Sequence, residues 1–523
     1  MSSLIGLLRR RVTTHRWPPA RVYLAETTAL MLGLALLSRA FTYNVAGLDW
    51  DESLYIVIAQ RWLHGELPYT GVWDQHPMGL PAIFAVAIWF IGNGLLAARI
   101  ACLLAVTATA ILLTRFLTRT RNEMLAGSLA GVFYILYMAR PDGLAANTEM
   151  FNNLLVAAAS LLLWSELSRR PPRLRTGIMF AAGLLFGIGL QIKYVVFPEA
   201  VLLCCTALWL AWRNGAGLAR ITLLAGVAMA GGLLPTGVAT LYFWQAGALQ
   251  SYLDASLRAN VAYLEAPLTI GYMLARLRFG LLPLIALLPW PFVLAWRLRD
   301  STIRRRYGGL ALWLAVWLVA TMLDVASPLK FWKHYFNAMI PPLCAMAGLS
   351  VMRLAERVRA AHGLRVPALA LAVLAPAFLL MIKHAADSRS LGRLDIPRAI
   401  AQQIRRGGSD GRDIYLFNYD PLVYAYAGAV PPTRYVLGIE LANFHTSSGA
   451  QSSREIDRIL ARPPRWIVVA DPSPYHFAPP IRQMLDAALQ RYKVVAQYRE
   501  ADYIQPPITV RLYQIRASDP ETG

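Results

Sequence analysis

An aspartate–glutamate pair, Asp51-Glu52, follows the first long apolar run of a 523-residue chain. A second acidic group, Asn147-Thr148-Glu149, opens a later run, and a cationic one, Lys330-Phe331-Trp332-Lys333-His334-Tyr335, opens another. A positioned carboxylate takes the proton from a weak hydroxyl nucleophile, and lysine, arginine and histidine donors hold phosphate. Gathered at one membrane face, the two sets suit chemistry on a lipid-borne anionic substrate. Arg99 and Lys193 lie inside apolar runs, and Asp74-Gln75-His76-Pro77 forms a further polar cluster in the loop after Asp51. Ionisable groups inside spans are costly and by default mark function. Each residue also has a plainer reading. Asp51 could be a helix N-cap, with Glu52 favourably placed in the first turn. Asp74–Pro77 could be a turn ended by proline, Glu149 a solvated helix start, and Arg99 a snorkelling side chain. Lys330 and Lys333 could attract anionic lipid headgroups.

The elements that must position these residues are membrane spans. The chain is 57% hydrophobic with mean hydropathy +0.43, and its repeated apolar runs have the roughly 17–25 residues needed to cross a bilayer core. The net charge of +21 would suggest nucleic acid in a soluble protein. Here arginine-rich segments alternate with spans, as the positive-inside bias requires, and no nucleic-acid partner is implied. Spans are expected at 22–43, 95–118, 124–139, 147–167, 176–196, 198–212, 221–245, 280–296, 308–326, 335–352 and 366–383. This gives about eleven spans. The basic leader (Arg9, Arg10, Arg11, Arg16, Arg21) places the N-terminus in the cytoplasm and reads as an uncleaved anchor. Residues 79–91 are apolar but short, and counting them as a span would put Arg115, Arg119 and Arg121 on the wrong side. A helix at the interface fits better. Another is expected over 51–64, with Asp51, Tyr55, Ile58 and Trp62 on one face. A long outer loop is expected at 246–279. Cys102, Cys204, Cys205 and Cys344 all lie in apolar runs and read as small hydrophobes.

The spans make up residues 1–384, and a small α/β domain outside the membrane is expected over 385–523. Ile414–Phe417, Trp466–Ala470 and Ile508–Tyr513 read as strands, and Glu455–Ala461 and Ile481–Gln490 as helices. Neither a glycine-rich phosphate loop nor zinc spacing occurs there.

At these residues the chain resembles the GT-C glycosyltransferases, specifically the protein O-mannosyltransferase and lipid A aminoarabinose transferase branch. The resemblance covers roughly 22–350. It rests on Leu48-Asp49-Trp50-Asp51-Glu52-Ser53-Leu54-Tyr55, Gly65-Glu66-Leu67-Pro68-Tyr69, Trp73-Asp74-Gln75-His76-Pro77, Leu96-Ala97-Ala98-Arg99-Ile100, Asn147-Thr148-Glu149, and His334-Tyr335 followed by Ile340-Pro341-Pro342. His76-Pro77-Met78 stands where the family has Lys-Pro-Pro, so a lysine and a second proline are missing.

The resemblance implies transfer of a sugar from a polyprenyl-phosphate carrier to a hydroxyl on an envelope lipid or glycan rather than a protein. It also implies inversion at the anomeric carbon, at the periplasmic face of a bacterial inner membrane. The leaving lipid phosphate is stable as an anion and needs positive charge, for which Arg99, Lys330, Lys333, His334, His76 and Lys193 are the candidates. Asp51 is the expected base. Glu52 and Glu149 would orient acceptor or base, or hold a divalent metal, and Tyr55, Asp74 and Asn147 would contact acceptor or sugar. No cofactor is required. The reading from another class is a lipid or sugar transporter, which predicts polar groups near the bilayer midplane and interrupted helices in paired positions.

Overall fold

The computed structural model describes residues 20–43, 48–118, 123–169, 174–265, 269–361, 379, 395–442, 451–500 and 507–516. The expected span at 366–383 lies outside the described residues, Leu379 apart, as do Arg9, Arg10, Arg11, Arg16, Arg119 and Arg121.

Two polar-tipped helices and a short apolar one precede the main bundle. Helix α1 (Ala20–Arg39) enters it; α2 (Trp50–Leu63) and α3 (Gly79–Ile91) form the first outer loop. The bundle itself comprises α4 (Gly94–Leu117), α5 (Met124–Tyr137), α6 (Thr148–Leu167), α7 (Thr176–Leu190), α8 (Phe197–Arg213) and α9 (Leu218–Gln245), followed by α10 (Ile270–Leu281), α11 (Trp290–Arg297), α12 (Ser301–Ala326) and α13 (Ile340–Ala361). Among the described residues five helical segments, Gly94–Leu117, Thr148–Leu167, Tyr194–Arg213, Leu218–Gln245 and Ser301–Ala326, are long and apolar enough to cross a membrane. Helix α3, at about 1.5 Å per residue, reaches only some 20 Å and falls short of a bilayer core of about 30 Å. It carries Trp89 and Phe90 outward, 71% and 74% exposed. Leu218 (78%) and Phe292 (77%) are similarly bare, while Arg99 is fully buried. That inversion of the soluble pattern places lipid around the molecule and polar chemistry inside it.

Small residues set the closest helix contact. A Cβ added at Gly187 in α7 would lie 2.3 Å from the Gly232 carbonyl oxygen of α9, so only glycine permits this approach. Elsewhere indoles lock spans through hydrogen bonds. Trp313 donates to Ser160 at 2.8 Å and Trp317 to Glu199 at 3.1 Å.

Three expectations need correction. The segment 246–279 is not an open loop: it folds into helical pieces at Leu249–Leu253, Asp254–Arg258 and Ala259–Glu265, then α10. The span expected at 280–296 is interrupted, with a 3-10 turn at Leu282–Leu284 before α11. Pro283, Pro289 and Pro291 remove backbone donors there. Helix α2 forms as expected, but Glu52 to Ala59 are all buried. It does not lie open on an interface, because the C-terminal domain sits on it.

That domain begins with α14 (Ile396–Arg406) and contains β1 (Ile414–Leu416), α15 (Leu422–Ala427), α16 (Ser452–Ala461), β2 (Trp466–Asp471), α17 (Pro479–Leu489), β3 (Tyr492–Glu500) and β4 (Ile508–Ile515). The sheet order is β1-β2-β4-β3. Strand β1 runs parallel to β2, and β4 pairs antiparallel with both β2 and β3. The sequence pattern misses β3, whose exposed outer face (Lys493, Val494 and Gln497 among others) breaks the apolar run that marks a buried strand.

The domain reaches α2 through Asp420, which accepts from Leu422 N at 2.9 Å and meets the Ser53 hydroxyl. Burial pushes the Asp420 carboxyl from 3.8 up to about 7. The folded protein therefore keeps a proton that the unfolded chain releases, so this group's contribution to stability falls as pH rises between about 4 and 7. Asp420→Asn keeps the amide contact without the charge. Its unfolding temperature in detergent should drop less between pH 5 and pH 8 than that of the wild type; an equal drop in both would assign the slope to other groups.

Candidate active site at the outer ends of the bundle

The N-terminus of α2 separates the two readings of Asp51. The cap is Asp49, whose Oδ1 accepts from Asp51 N at 2.9 Å. The other oxygen, Oδ2, accepts from Asn147 Nδ2 at 2.6 Å. Burial and the charge of Asp51 push the Asp49 carboxyl well above the usual carboxylate range. With the cap supplied by Asp49, the Asp51 carboxylate is left half-buried in the first turn with no hydrogen bond or ion pair to the described residues. Its electrostatic neighbours come from five separate segments: Tyr55, His76, His334 with Tyr335, Glu440, and Tyr475.

Glu52 and Arg99 meet each other. Arg99 Nε and Nη2 each donate to the Glu52 carboxylate at 2.5 Å, Nη1 donates to the Thr42 carbonyl at 3.2 Å, and Glu52 also accepts from Ala146 N at 2.8 Å. The two side chains are 1% and 2% exposed. Every guanidinium nitrogen of Arg99 is thus occupied, which leaves no fork for a phosphate. The pair joins α2 to α4 and to the turn before α6.

Glu149 and Lys193 form a second buried pair, 2.6 Å apart. Lys193 also lies 3.9 Å from the centroid of the Tyr335 ring, a favourable seat for an ammonium. The remaining oxygen Oε2 of Glu149 has no hydrogen-bond partner among the described residues. Asn147, expected near the sugar, donates through Nδ2 to Asp49. Glu52 and Glu149, expected to orient base or acceptor or to hold a divalent metal, each face a cation, Arg99 and Lys193. Among the described residues no three His, Cys, Asp or Glu side chains are grouped to hold a metal ion.

The remaining expected cations divide. Lys330 is buried, its Nζ 4.9 Å from the Tyr263 ring centroid, between two non-glycine residues at positive φ, Leu329 (54°) and Phe331 (49°). Such backbone costs on the order of 1–3 kcal/mol per residue and clusters at functional sites. Arg276 of α10 joins it, donating to the Lys330 carbonyl at 2.9 Å and stacking on Trp332 with its guanidinium carbon 3.5 Å from the ring centroid. Burial and the nearby Arg276 charge lower the Lys330 ammonium below its ordinary range. Lys333 leans instead toward Phe279, 5.4 Å from the ring centroid. His334 stacks edgewise on Tyr335, ring centroids 4.9 Å apart, and burial pushes its imidazole down. Trp332 donates to the Tyr263 hydroxyl at 2.7 Å, tying the Lys330 corner to the rest. Arg276 escapes a reading of the sequence because it stands in a segment with the look of featureless loop.

The Asp74–Pro77 cluster is more than a turn. His76 Nδ1 lies 2.9 Å from Asp74 Oδ1 and 3.3 Å from the Tyr55 hydroxyl, and the Tyr69 hydroxyl donates to the His76 carbonyl at 3.1 Å. Asn260 donates to the Gln75 carbonyl at 2.6 Å.

No protein-family model matches this chain, and no curated protein matches it. Solved structures do. ArnT from Cupriavidus metallidurans, solved bound to undecaprenyl phosphate, aligns over 94% of this chain and 98% of its own at 14% identity, with a TM-score of 0.60. The same protein in its apo state gives 0.59. The archaeal oligosaccharyltransferase AglB from Archaeoglobus fulgidus, solved with an inhibitory peptide and a dolichol-phosphate, aligns over 96% of this chain and 75% of its own at 10% identity, with a TM-score of 0.51. The fold is that of ArnT and AglB.

In this chain the C-terminal domain forms a roof over Asp51. Trp50 packs edgewise on Tyr419 and Tyr475, centroids 5.9 and 5.7 Å away, and Trp73 N donates to the Arg434 carbonyl at 2.9 Å. Glu440 is buried, and its carboxyl is raised well above the ordinary range by burial and by Asp74 and Asp51. Glu440 and Tyr475 are neighbours of Asp51 that escape a reading of the sequence. No spacing signal marks them, since they lie some 390 or more residues from Asp51.

Proposed function

We propose that the protein is a membrane glycosyltransferase that moves a sugar from a polyprenyl-phosphate carrier to a hydroxyl of an envelope lipid or glycan. The observation that carries this reading is the Asp51 carboxylate, unpaired among the described residues, with the His76 and His334 imidazoles beside it at the outer ends of the bundle. Asp51 takes the proton of the acceptor hydroxyl as its oxygen attacks the anomeric carbon. The bond to the phosphate breaks on the opposite face, so configuration inverts. The negative charge appearing on the carrier phosphate falls to His76, Lys330 and Arg276, with Lys333 and His334 at the rim. Glu52–Arg99 and Glu149–Lys193 position α2, α4, α6 and the turn at 193, and do not themselves meet the phosphate. Tyr55, Asp74, Glu440 and Tyr475 line the space for sugar and acceptor.

The same reading places about eleven spans in a bacterial inner membrane, with the N-terminus cytoplasmic and the roof domain periplasmic, because the arginine-rich segments fall on one side. A transporter is less well supported, since the ion pairs stand at helix ends rather than in midplane breaks.

The test has two arms. Mass spectrometry of envelope lipids and glycans from a deletion strain should show loss of one sugar substituent, restored by the wild-type gene; an unchanged profile would overturn the reading. Thr70→Cys and Asp457→Cys, both at exposed positions, should react with an impermeant thiol reagent in intact spheroplasts. Labelling only after permeabilisation would move the site to the cytoplasmic face.

A further inference from the structure

By the sequence resemblance His76 takes the place of the lysine in a Lys-Pro-Pro element, and its surroundings differ from those of a fixed cation. Asp74 holds its Nδ1 at 2.9 Å, and the Tyr55 hydroxyl approaches the same nitrogen at 3.3 Å. That engagement fixes the ring and leaves Nε2 as the end able to meet a ligand. The ring stands nearly perpendicular to Tyr55, at 84° and 5.9 Å between centroids, and Tyr69 pins its carbonyl. The charged groups facing it are Asp74 from its own loop, Asp51 from α2 and Lys193 from the turn after α7. A single imidazole therefore feels both the Asp51 carboxylate and a buried ammonium.

Resting on the glycosyl-transfer reading above, we propose that the Asp74–His76 pair is a titratable clasp for the carrier phosphate, which binds the spent carrier as imidazolium and releases it when the imidazole loses its proton. The chemistry follows from the charges. The sugar-loaded carrier is a phosphodiester with one negative charge. The spent carrier is a phosphomonoester, whose second ionisation lies near pH 6. A cation that meets this phosphate gains attraction as the second charge develops, which is the differential binding that speeds transfer. Lysine would supply that charge at every working pH. Histidine supplies it only while protonated, so capture and release of the carrier become pH-dependent. Burial disfavours the imidazolium, but the charge and hydrogen bond of Asp74 outweigh it and raise His76 above its ordinary value. A raised cationic group is charged below its pKa and loses its contribution as pH rises through it.

The experiment measures binding of undecaprenyl phosphate to the full-length protein in detergent from pH 5.5 to 8.5. Wild type, His76→Lys, His76→Gln and Asp74→Asn are compared in parallel, so that titration of the lipid phosphate itself cancels. Wild-type affinity should fall by about tenfold across the range relative to His76→Lys, as expected for loss of one charge-assisted hydrogen bond. His76→Gln should bind weakly throughout, with no such limb. Asp74→Asn should move the limb down by about one pH unit or more, since the opposing carboxylate is gone. A wild-type profile that parallels His76→Lys, or an unmoved limb in Asp74→Asn, overturns the clasp. A wild type that binds no carrier at any pH overturns the transferase reading instead. Thermal unfolding of each variant separates a lost clasp from a lost fold, and if His76→Gln fails to fold, the Asp74→Asn shift decides.

Discussion

Asp51→Asn is expected to lower the rate of glycosyl transfer by about 10²–10⁴-fold, the usual cost of removing a general base. The substitution is nearly isosteric. It should leave the fold intact, because the side chain that caps α2 is Asp49 and no described residue hydrogen-bonds to the Asp51 carboxylate. Undecaprenyl-phosphate binding should remain within a few-fold of wild type, since the amide only removes a charge that repels the phosphate. Turnover should fall while carrier binding and unfolding temperature hold. Two controls sharpen the result. Asp49→Asn, which retains a capping oxygen, should cost far less activity, whereas Asp49→Ala should lower stability by about 0.5–2 kcal/mol through loss of the cap. Near-wild-type turnover by Asp51→Asn, measured on a substrate for which transfer is rate-limiting, would remove the base from this position and leave Glu440 or His76 to be tested in its place.

The second large effect is structural. Arg99→Ala leaves the Glu52 carboxylate buried without its partner, and breaking a buried ion pair on one side costs roughly 3–5 kcal/mol. The helices α2 and α4 and the Ala146 turn lose their common tie, so the expected outcome is loss of folded protein during purification. Glu52→Gln strands the guanidinium in the same way. The double variant Arg99→Leu with Glu52→Leu removes both charges and should recover much of the folding yield, because a buried pair replaced by apolar side chains is often near neutral. Arg99→Lys keeps one contact and loses the bidentate fork. It should act on stability and on turnover rather than on carrier affinity. If Arg99→Lys folds normally and instead weakens undecaprenyl-phosphate binding tenfold, Arg99 meets the phosphate after all, and the bidentate pair with Glu52 must open in the loaded state.

The residue types at the site are legible in the amino-acid sequence, but their roles are only partly so, for one reason. A sequence shows that Glu52, Arg99, Glu149 and Lys193 are charged and lie beside apolar spans, and such groups at one membrane face imply a bound anion or one another. Which of these holds depends on whether two side chains 47 or 44 residues apart meet. The sequence offers Arg99 as a grip for phosphate; the fold gives it to Glu52. It offers Lys193 for the same task; the fold gives it to Glu149 and Tyr335. Asp51 is open between cap and base in the sequence, and the choice turns on a backbone amide that points to Asp49.

Class and the placement of the long apolar helices follow from composition and periodicity. A run of some twenty apolar residues has few options other than crossing a bilayer, so helices such as Gly94–Leu117 and Thr148–Leu167 appear close to where the hydropathy pattern puts them. Tertiary structure alone decided the rest. Pro283 and Pro289 broke an apolar stretch that hydropathy reads as continuous. The chain from 249 to 281 folded against the Lys330 corner and brought Arg276 onto Trp332. The C-terminal domain closed over α2 and carried Glu440 and Tyr475 toward Asp51. Local sequence encodes helix, strand and the preference for lipid or water. It does not encode which charge finds which partner, because that pairing is settled only when burial makes every unpaired charge costly and the packed helices leave a single set of partners within reach.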